Sequence, residues 1–172
     1  MQPTIRLCTE QDNDSVLAII NEAAQAYKGV IPADRWHDPY MTSDELRTEI
    51  TRGVVFWGAQ QRNQLVGIAG IQDRGDVVLV RHAYVVPRVQ RTGCGTALLR
   101  HLESLETDRP ILIGTWADAR WAIDFYRRSG YALLSKTRKN ALLKKYWTIP
   151  QRQVDASVVL AKRLPEAGLG DP

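Results

Sequence analysis

The sequence contains very little cysteine: of its 172 residues only Cys8 and Cys94 are cysteines, and no metal-ligand or redox spacing relates them. This scarcity excludes a disulfide framework and a cysteine-based zinc site, and it favours a reducing compartment. Long apolar runs are also missing, since nowhere do about 18 uninterrupted apolar residues occur, and the N-terminus lacks the charged-then-apolar order of a signal peptide. We therefore expect a cytoplasmic protein that has no membrane span and holds no metal.

A strong charge bias is absent as well. The 23 Lys and Arg residues against 19 Asp and Glu residues give a formal net charge of +4. Four arginines fall within one stretch of the chain, namely Arg81, Arg88, Arg91 and Arg100. A patch this small suits a small polyanion better than the backbone of a nucleic acid. We therefore expect no nucleic-acid partner.

The composition is that of an ordinary globular domain, with 44% hydrophobic and 24% charged residues. At this length one core can bury roughly 70% of the surface that the unfolded chain exposes, so folding needs no disulfide or metal. We expect a single domain over residues 1–164 and a C-terminal tail over residues 165–172.

The hydrophobic pattern predicts a strand, two helices and then a three-strand meander. The longest strand candidate is residues 77–86, which is mostly apolar on both faces and therefore belongs in the centre of a sheet. Strict alternation puts these side chains on one face: Val78, Val80, His82, Tyr84 and Val86. Two strand–helix units follow, and residues 131–134 and 154–160 are predicted as the last strands. The order β-α-α-β-β-β-α-β-α-β-β predicts an α/β fold, with a mixed and mostly antiparallel sheet of about seven strands and helices on both faces.

A glycine-bearing loop, residues 88–96, joins the central strand to the next helix. At a helix N-terminus several backbone N–H groups lack helical partners, and the helix dipole favours an anion. Gly93 and Gly95 carry no side chain that would keep a ligand from the backbone, and Arg91 adds positive charge. The pattern predicts a phosphate site, although a tight turn that merely uses two glycines is equally compatible with it.

This loop differs from two other nucleotide-binding loops. An ATPase phosphate loop ends in Gly-Lys-Ser or Gly-Lys-Thr, which does not occur here. The dinucleotide fingerprint Gly-x-Gly-x-x-Gly fits Gly93 and Gly95 but meets Leu98 at its third position. Asp118 lies at about the spacing of a ribose-binding acid, so a dinucleotide-binding protein remains an alternative.

Three motifs occur in a characteristic order. Residues 90–95, Gln-Arg-Thr-Gly-Cys-Gly, match the signature Arg/Gln-x-x-Gly-x-Gly/Ala, and residues 84–87, Tyr-Val-Val-Pro, end the strand before it. Residues 122–131 match Ala-Ile-x-x-Tyr-x-x-x-Gly-Phe/Tyr. In these motifs the sequence resembles the GNAT superfamily of acetyl-CoA-dependent N-acetyltransferases, over roughly residues 4–162. The resemblance implies a GNAT-like fold, acetyl-CoA as the cosubstrate, and acetyl transfer to a primary amine by direct attack.

The resemblance also assigns coenzyme-binding residues. It implies that backbone groups of Tyr84, Val85 and Val86 pair with the pantetheine arm like an added strand. The residues implied to hold the pyrophosphate are Gln90, Arg91, Thr92, Gly93, Cys94, Gly95 and Thr96. The family often has an Asn that contacts the coenzyme arm three residues before Ala122, but this sequence has Ala119 there.

Two residues are candidates for catalysis. Tyr126 matches the tyrosine that faces the coenzyme sulfur in the family, where a phenol with a pKa of about 10 can protonate a thiolate with a pKa of about 8.5 to 9. His82 on the central strand is a candidate base, and His37 and Asp38 are second candidates. A core tyrosine and a hydrogen-bonded sheet histidine are the structural alternatives.

Aromatic residues surround the loop after the first helix. We expect Tyr27, Trp36 and Tyr40 to line an acceptor pocket, because loops carry specificity. The alternative is that Trp36 and Tyr40 merely cover the end of the core. The sequence does not identify the amine, a non-catalytic module that binds acyl-CoA is the alternative function, and a homodimer is the expected assembly.

Overall fold

Seven strands form one sheet in the computed structural model, which describes residues 2–165. The strands are β1 Thr4–Leu7, β2 Val54–Gln61, β3 Gln64–Asp73, β4 Val78–Val85, β5 Ile111–Trp116, β6 Ala132–Leu133 and β7 Ser157–Lys162. The α-helices are α1 Asn13–Ala24, α2 Ser43–Thr51, α3 Cys94–Leu105, α4 Arg120–Arg128, α5 Lys136–Tyr146 and α6 Gln151–Asp155. Apart from Pro165, the predicted tail over residues 165–172 lies outside the described residues.

The strands follow the order β1-β2-β3-β4-β5-β7-β6 across the sheet. Within the described residues, β4 and β5 are the one parallel pair, and all other neighbours are antiparallel. This confirms the predicted α/β fold with a mixed, mostly antiparallel sheet. The prediction of a central strand within residues 77–86 is also confirmed, because β4 has three strands on each side.

Helices cover both faces of the sheet. Alternate residues of β5 lie in different hydrophobic clusters, with Ile111 and Ile113 in one and Leu112 in the other. The helical residues divide in the same way: Leu98, Leu99 and Leu102 of α3 lie in the first cluster, and Leu142, Leu143 and Tyr146 of α5 lie in the second. Helices α3 and α5 therefore pack on opposite faces.

Helix α2 begins with a reciprocal capping box. The Thr42 backbone N–H donates to Glu45 Oε2 at 2.7 Å, and the Glu45 N–H donates to Thr42 Oγ1 at 3.2 Å. These bonds satisfy backbone groups that a helix start otherwise leaves unpaired. The side chain of Leu46 is buried in the core, so α2 and its later residue Glu49 hold a defined position over the sheet.

The prediction for the C-terminal part of the chain is wrong in two places. Residues 154–160 do not form one strand, because α6 ends at Asp155 and β7 begins only at Ser157. The sequence pattern also fails to indicate α5, which is rich in lysine and has few regularly spaced apolar residues. Tertiary contacts hold α5 instead: its leucines pack on the sheet, and the Lys139 ammonium donates to the Val154 carbonyl of α6.

A β-bulge interrupts β4. Between the pairs Ile68–Tyr84 and Gly70–Arg81, β4 contains one residue more than β3. The backbone adapts at His82, whose φ of 52° lies in the left-handed region that residues other than glycine rarely adopt. The strict alternation predicted for this strand is therefore broken at its middle.

The bulge separates β4 from its parallel neighbour. Pairing between β4 and β5 covers residues 78–80 of β4 and does not continue past the bulge. Residues 114–116 of β5 pair with β7 on the other side. An opening is left between residues 83–85 of β4 and 114–116 of β5, and we call it the β4–β5 gap.

Candidate active site

A cleft of about 860 Å³ lies beside residues 83–85 of β4, the strand that borders the β4–β5 gap. Tyr84 packs against Tyr27, which follows α1, whereas the next residue, Val85, lies close to Gly95 at the start of α3. Because neighbouring residues of a strand point to opposite faces, the cleft is lined from both faces of the sheet.

The glycine loop ends at an uncapped helix N-terminus. Gly93 is the N-cap of α3 with a φ of 88°, and it has no side chain to accept the first helical N–H groups. An added Cβ at Gly93 would meet no atom within 4 Å, so the loop is open at this point. Arg91 of the loop and Arg128 at the end of α4 both line the cleft. Unpaired amides, a helix dipole and two guanidinium groups fit the phosphates of a ligand such as coenzyme A.

The end of β4 directs one backbone amide into the gap. The Val86 N–H donates to the Val66 carbonyl at 3.0 Å, and Tyr84 pairs with β3. Because backbone groups alternate between the two edges of a strand, the Val85 N–H faces the gap instead. The Val85 carbonyl accepts a hydrogen bond from Gln90 Nε2 at 3.0 Å. Of the three residues predicted to pair with a pantetheine arm, Val85 is the one whose amide points into the cleft.

Most of the predicted coenzyme residues line the cleft, but Val86 and two loop residues do not. Those that line it are Tyr84, Val85, Gln90, Arg91, Gly93, Gly95 and Thr96. The Thr92 hydroxyl donates to the Val89 carbonyl at 2.7 Å and stabilises the turn. Cys94 is 1% exposed, burial raises the pKa of its thiol to about 11, and its sulfur packs against Gly67. The Cys94 side chain therefore fills space between α3 and the sheet.

Tyr126 of α4 is buried and lines the cleft. Its ring packs edge-on against Phe125 and Tyr131, with centroid distances of 5.2 Å and 6.2 Å. Burial, and to a smaller degree the nearby Tyr27, raises the pKa of the Tyr126 hydroxyl well above its usual value of about 10. The hydroxyl is therefore protonated at neutral pH and can act as a hydrogen-bond or proton donor.

His82 points away from the cleft. Its Nε2 lies 2.6 Å from Glu49 Oε2, and its ring lies 6.0 Å from the ring of Phe56. Burial lowers the pKa of His82, an effect that the hydrogen bond to Glu49 opposes. Because His82 is not among the residues that line the cleft, its position does not favour the predicted role of a base in contact with the acceptor.

The aromatic residues predicted for the acceptor pocket form one stacked group. The Tyr40 ring lies 5.8 Å from Tyr27 and 5.6 Å from Trp36, and its hydroxyl accepts a 3.3 Å hydrogen bond from Trp116 Nε1. Tyr27 lines the cleft, and burial raises the pKa of its hydroxyl to about 12. Trp36 and Tyr40 are not among the lining residues and pack behind Tyr27 in a small hydrophobic cluster.

Trp121 of α4 completes this aromatic wall. Its ring centroid lies 5.7 Å from that of Tyr27, and 46% of the residue is exposed. Tyr27 and Trp121 therefore narrow one mouth of the cleft between the segment after α1 and helix α4. A half-exposed indole in this position offers an apolar and cation-binding surface to an entering molecule.

The second candidate bases lie outside the cleft lining. His37 is exposed, its ring stacks on Tyr40, and its Nδ1 lies 2.6 Å from the Pro39 carbonyl oxygen. Asp38 is exposed as well. Neither residue lines the cleft.

Sequence reasoning missed two charged residues of the cleft. Asp124 and Arg128 line it from α4, on the same face as Trp121 and Phe125. These four positions follow the i, i+3, i+4, i+7 spacing of one helix face. That spacing was available in the sequence, but polar residues on a helix face are usually solvated and carry little signal.

Comparison with known proteins agrees with this geometry. The family model described as the acetyltransferase (GNAT) domain matches residues 16–144, well over half of the chain. The chain belongs to the GNAT acetyltransferase family. No curated protein matches the chain by sequence.

Solved structures of other GNAT proteins share the fold. A PaiA N-acetyltransferase from Thermoplasma acidophilum, determined in complex with coenzyme A, is 16% identical and superposes with a TM-score of 0.73 over 95% of this chain and 100% of that chain. An acetyltransferase from Streptococcus agalactiae is 14% identical, with a TM-score of 0.71 over 95% and 99% of the two chains. The ribosomal-protein-S18-alanine N-acetyltransferase from Escherichia coli is 18% identical, with a TM-score of 0.63 over 98% of each chain.

This GNAT domain departs from the family pattern at Ala119. The residue is the N-cap of α4, is fully buried and packs with Ile31 and Trp116, so it has no polar group to offer a coenzyme arm. Among the described residues, no group of three or more His, Cys, Asp or Glu side chains is arranged to hold a metal ion. In the same part of the chain, every helix is too short or too polar to span a bilayer.

Proposed function

We propose that this protein transfers the acetyl group of acetyl-CoA to a primary amine by direct attack. The observation that carries the proposal is the cleft beside residues 83–85 of β4, where β4 no longer pairs with β5 and residues from both faces of the sheet form the lining. A cleft of this kind lets the thioester enter from the α3 side and the amine from the α1 side. Direct attack needs both reactants in the cleft at once, and holding them together supplies much of the rate enhancement.

The donor side supplies groups that suit each part of coenzyme A. The N–H groups at the start of α3 and the Arg91 and Arg128 guanidinium groups would bind the phosphates. The Val85 N–H would donate a hydrogen bond to an amide carbonyl oxygen of the pantetheine arm. The related PaiA structure, which contains coenzyme A, supports acetyl-CoA as the donor.

Tyr126 would protonate the leaving thiolate. The amine nitrogen forms a bond to the thioester carbonyl carbon, the carbon–sulfur bond breaks, and the thiolate takes the phenolic proton. The resulting phenolate regains a proton from the new ammonium centre, so the net products are an amide and a free thiol. Burial raises the pKa of the phenol, and burial would raise the pKa of the coenzyme thiol in the same way. Proton transfer from the phenol to the thiolate therefore exchanges one buried anion for another.

The amine would enter in its neutral form. Asp124 is the one carboxylate among the residues that line the cleft, and no histidine is among them. With no strong base in contact, the rate follows the fraction of amine that is already deprotonated in solution. We expect kcat/KM to rise about tenfold per pH unit below the pKa of the amine.

Two measurements on the purified chain test the proposal. Calorimetric titration with acetyl-CoA, compared with NAD, should show micromolar binding of acetyl-CoA and none of NAD. Thiol release with a panel of primary amines, from α-amines to polyamines, should then identify turnover. Coenzyme binding without turnover on any amine would favour the non-catalytic module instead, and binding of NAD alone would favour a dinucleotide-binding protein.

A further inference from the structure

A buried ionic cluster joins helix α2 to the bulge of β4. Arg81 Nη2 donates to Glu49 Oε2 at 2.7 Å, and His82 Nε2 lies 2.6 Å from the same oxygen. The exposed side-chain fractions are 14% for Glu49, 20% for Arg81 and 15% for His82. One carboxylate oxygen therefore contacts two consecutive residues of the strand.

The chemistry of the cluster determines which groups donate. The hydrogen bond from His82 and the nearby positive charge of Arg81 hold the pKa of Glu49 below its usual value although burial opposes them, so Glu49 is ionised and can only accept. His82 must then carry its proton on Nε2 and donate it to Glu49. Arg81 also donates from Nη1 to Gln72 Oε1 at 2.9 Å, and Gln72 Nε2 donates to the Arg52 carbonyl at 2.9 Å.

These bonds act at a point where the backbone of β4 leaves the regular strand conformation. In a regular strand Arg81 and His82 would point to opposite faces, and a single side chain could not contact both. The left-handed φ of His82 turns both toward α2, and such a conformation persists only when surrounding contacts hold it. Glu49 supplies those contacts from outside the sheet.

We infer that Glu49 is a positioning residue that keeps the β4 bulge in place and thereby keeps the β4–β5 gap open. Without it, residues 82–85 lose the contact that holds them off the regular strand path, and the cleft loses its defined width. Helix α1 is connected to α2 as well, because the Asn21 side chain of α1 forms two hydrogen bonds with the backbone of Met41 just before α2 (2.9 and 2.8 Å). The inference rests on the proposed function only for its coenzyme readout.

The test compares Glu49→Gln and Glu49→Ala with Asp44→Asn, an exposed carboxylate on the same helix. Hydrogen exchange is measured first on the ligand-free proteins. In Glu49→Ala the Tyr84 and Val86 amides, which pair with β3, should exchange at least about tenfold faster, while the amides of residues 78–80 keep the wild-type rate. Asp44→Asn should match the wild type throughout.

Coenzyme A affinity is the second readout. We expect Glu49→Ala to weaken binding about tenfold or more and Glu49→Gln to fall between it and the wild type, because an amide oxygen can accept but carries no charge. Folded Glu49→Ala with wild-type exchange at Tyr84 and Val86 and unchanged affinity would overturn the inference. If Glu49→Ala does not fold, Glu49→Gln carries the same comparison. If the wild type binds no coenzyme, the proposed site fails, and the exchange rates still decide the role of Glu49.

Discussion

The proposed donor side of the cleft, from β4 to the start of α3, is formed mainly by backbone groups, whereas the proposed acceptor side consists of aromatic side chains from separate segments. On the donor side the Val85 amide faces the β4–β5 gap, and the first helical amides of α3 follow Gly93 without a side-chain cap. On the acceptor side Tyr27 and Trp121 meet across the mouth although they are 94 positions apart in the chain. A site made of backbone groups depends on the local conformation and little on which side chains are present. An aromatic wall instead selects a bound molecule by its shape and charge.

The largest expected effect breaks the donor side alone. Gly93→Val places a β-branched side chain at a φ of 88°, in the open space before the helix amides, and we expect coenzyme A affinity to fall more than about a hundredfold. Calorimetric titration with coenzyme A measures this loss of affinity. Gly75→Val is the matched control, because Gly75 has a φ of 81° and equally open space but lies in a turn remote from the cleft. Similar loss of binding in both variants would show that strain, not the site, is responsible.

A second variant separates chemistry from binding on the donor side. Tyr126→Phe removes the hydroxyl and keeps the ring packing, so kcat should fall about tenfold to a hundredfold while coenzyme A affinity stays the same. Tyr131→Phe is the control, since Tyr131 is a buried tyrosine next to Tyr126 that is not among the residues lining the cleft. Equal turnover in Tyr126→Phe and wild type would remove Tyr126 from the mechanism.

A third variant weakens the acceptor side alone. Trp121→Ala removes half of the aromatic mouth, and we expect the KM of the amine to rise about fivefold to tenfold with little change in acetyl-CoA affinity. Steady-state kinetics with both substrates varied gives the two values. Leu133→Ala, a comparably exposed apolar residue on β6, serves as the control. A change in acetyl-CoA affinity as large as that for the amine would mean that Trp121 belongs to the donor side.

The smallest expected effect concerns alkaline pH. Burial raises the pKa of Tyr126 well above the usual value and that of Tyr27 to about 12, so both hydroxyls keep their protons up to at least about pH 10. Activity should therefore show no tyrosine-dependent decline between pH 7 and pH 10. A pH profile of kcat at saturating substrates checks this, and a decline that disappears in Tyr126→Phe would contradict the direction of the shift.

Much of the donor side could be predicted from the sequence because its determinants are local. The glycine loop, the strand before it and the helix after it are contiguous, and the structure places Gly93, Gly95 and Arg91 along the cleft as this order suggests. The local sequence pattern did not predict contacts between a strand side chain and a helix that is distant in the chain. The contact of His82 with Glu49 depends on a bulge in β4, and no periodicity reveals an extra residue in a strand.

The sequence by itself determined the fold class, the central strand and the glycine loop before α3, because hydrophobic periodicity and glycine placement act over a few residues. Only the tertiary structure decided how wide β4 and β5 stand apart, which of Tyr84, Val85 and Val86 directs its amide into the gap, and which aromatic residues meet at the mouth. Helix α5 and the Glu49 cluster belong to the same group. The physical reason is that these features depend on contacts between segments far apart in the chain, and such contacts leave no spacing in the sequence to read.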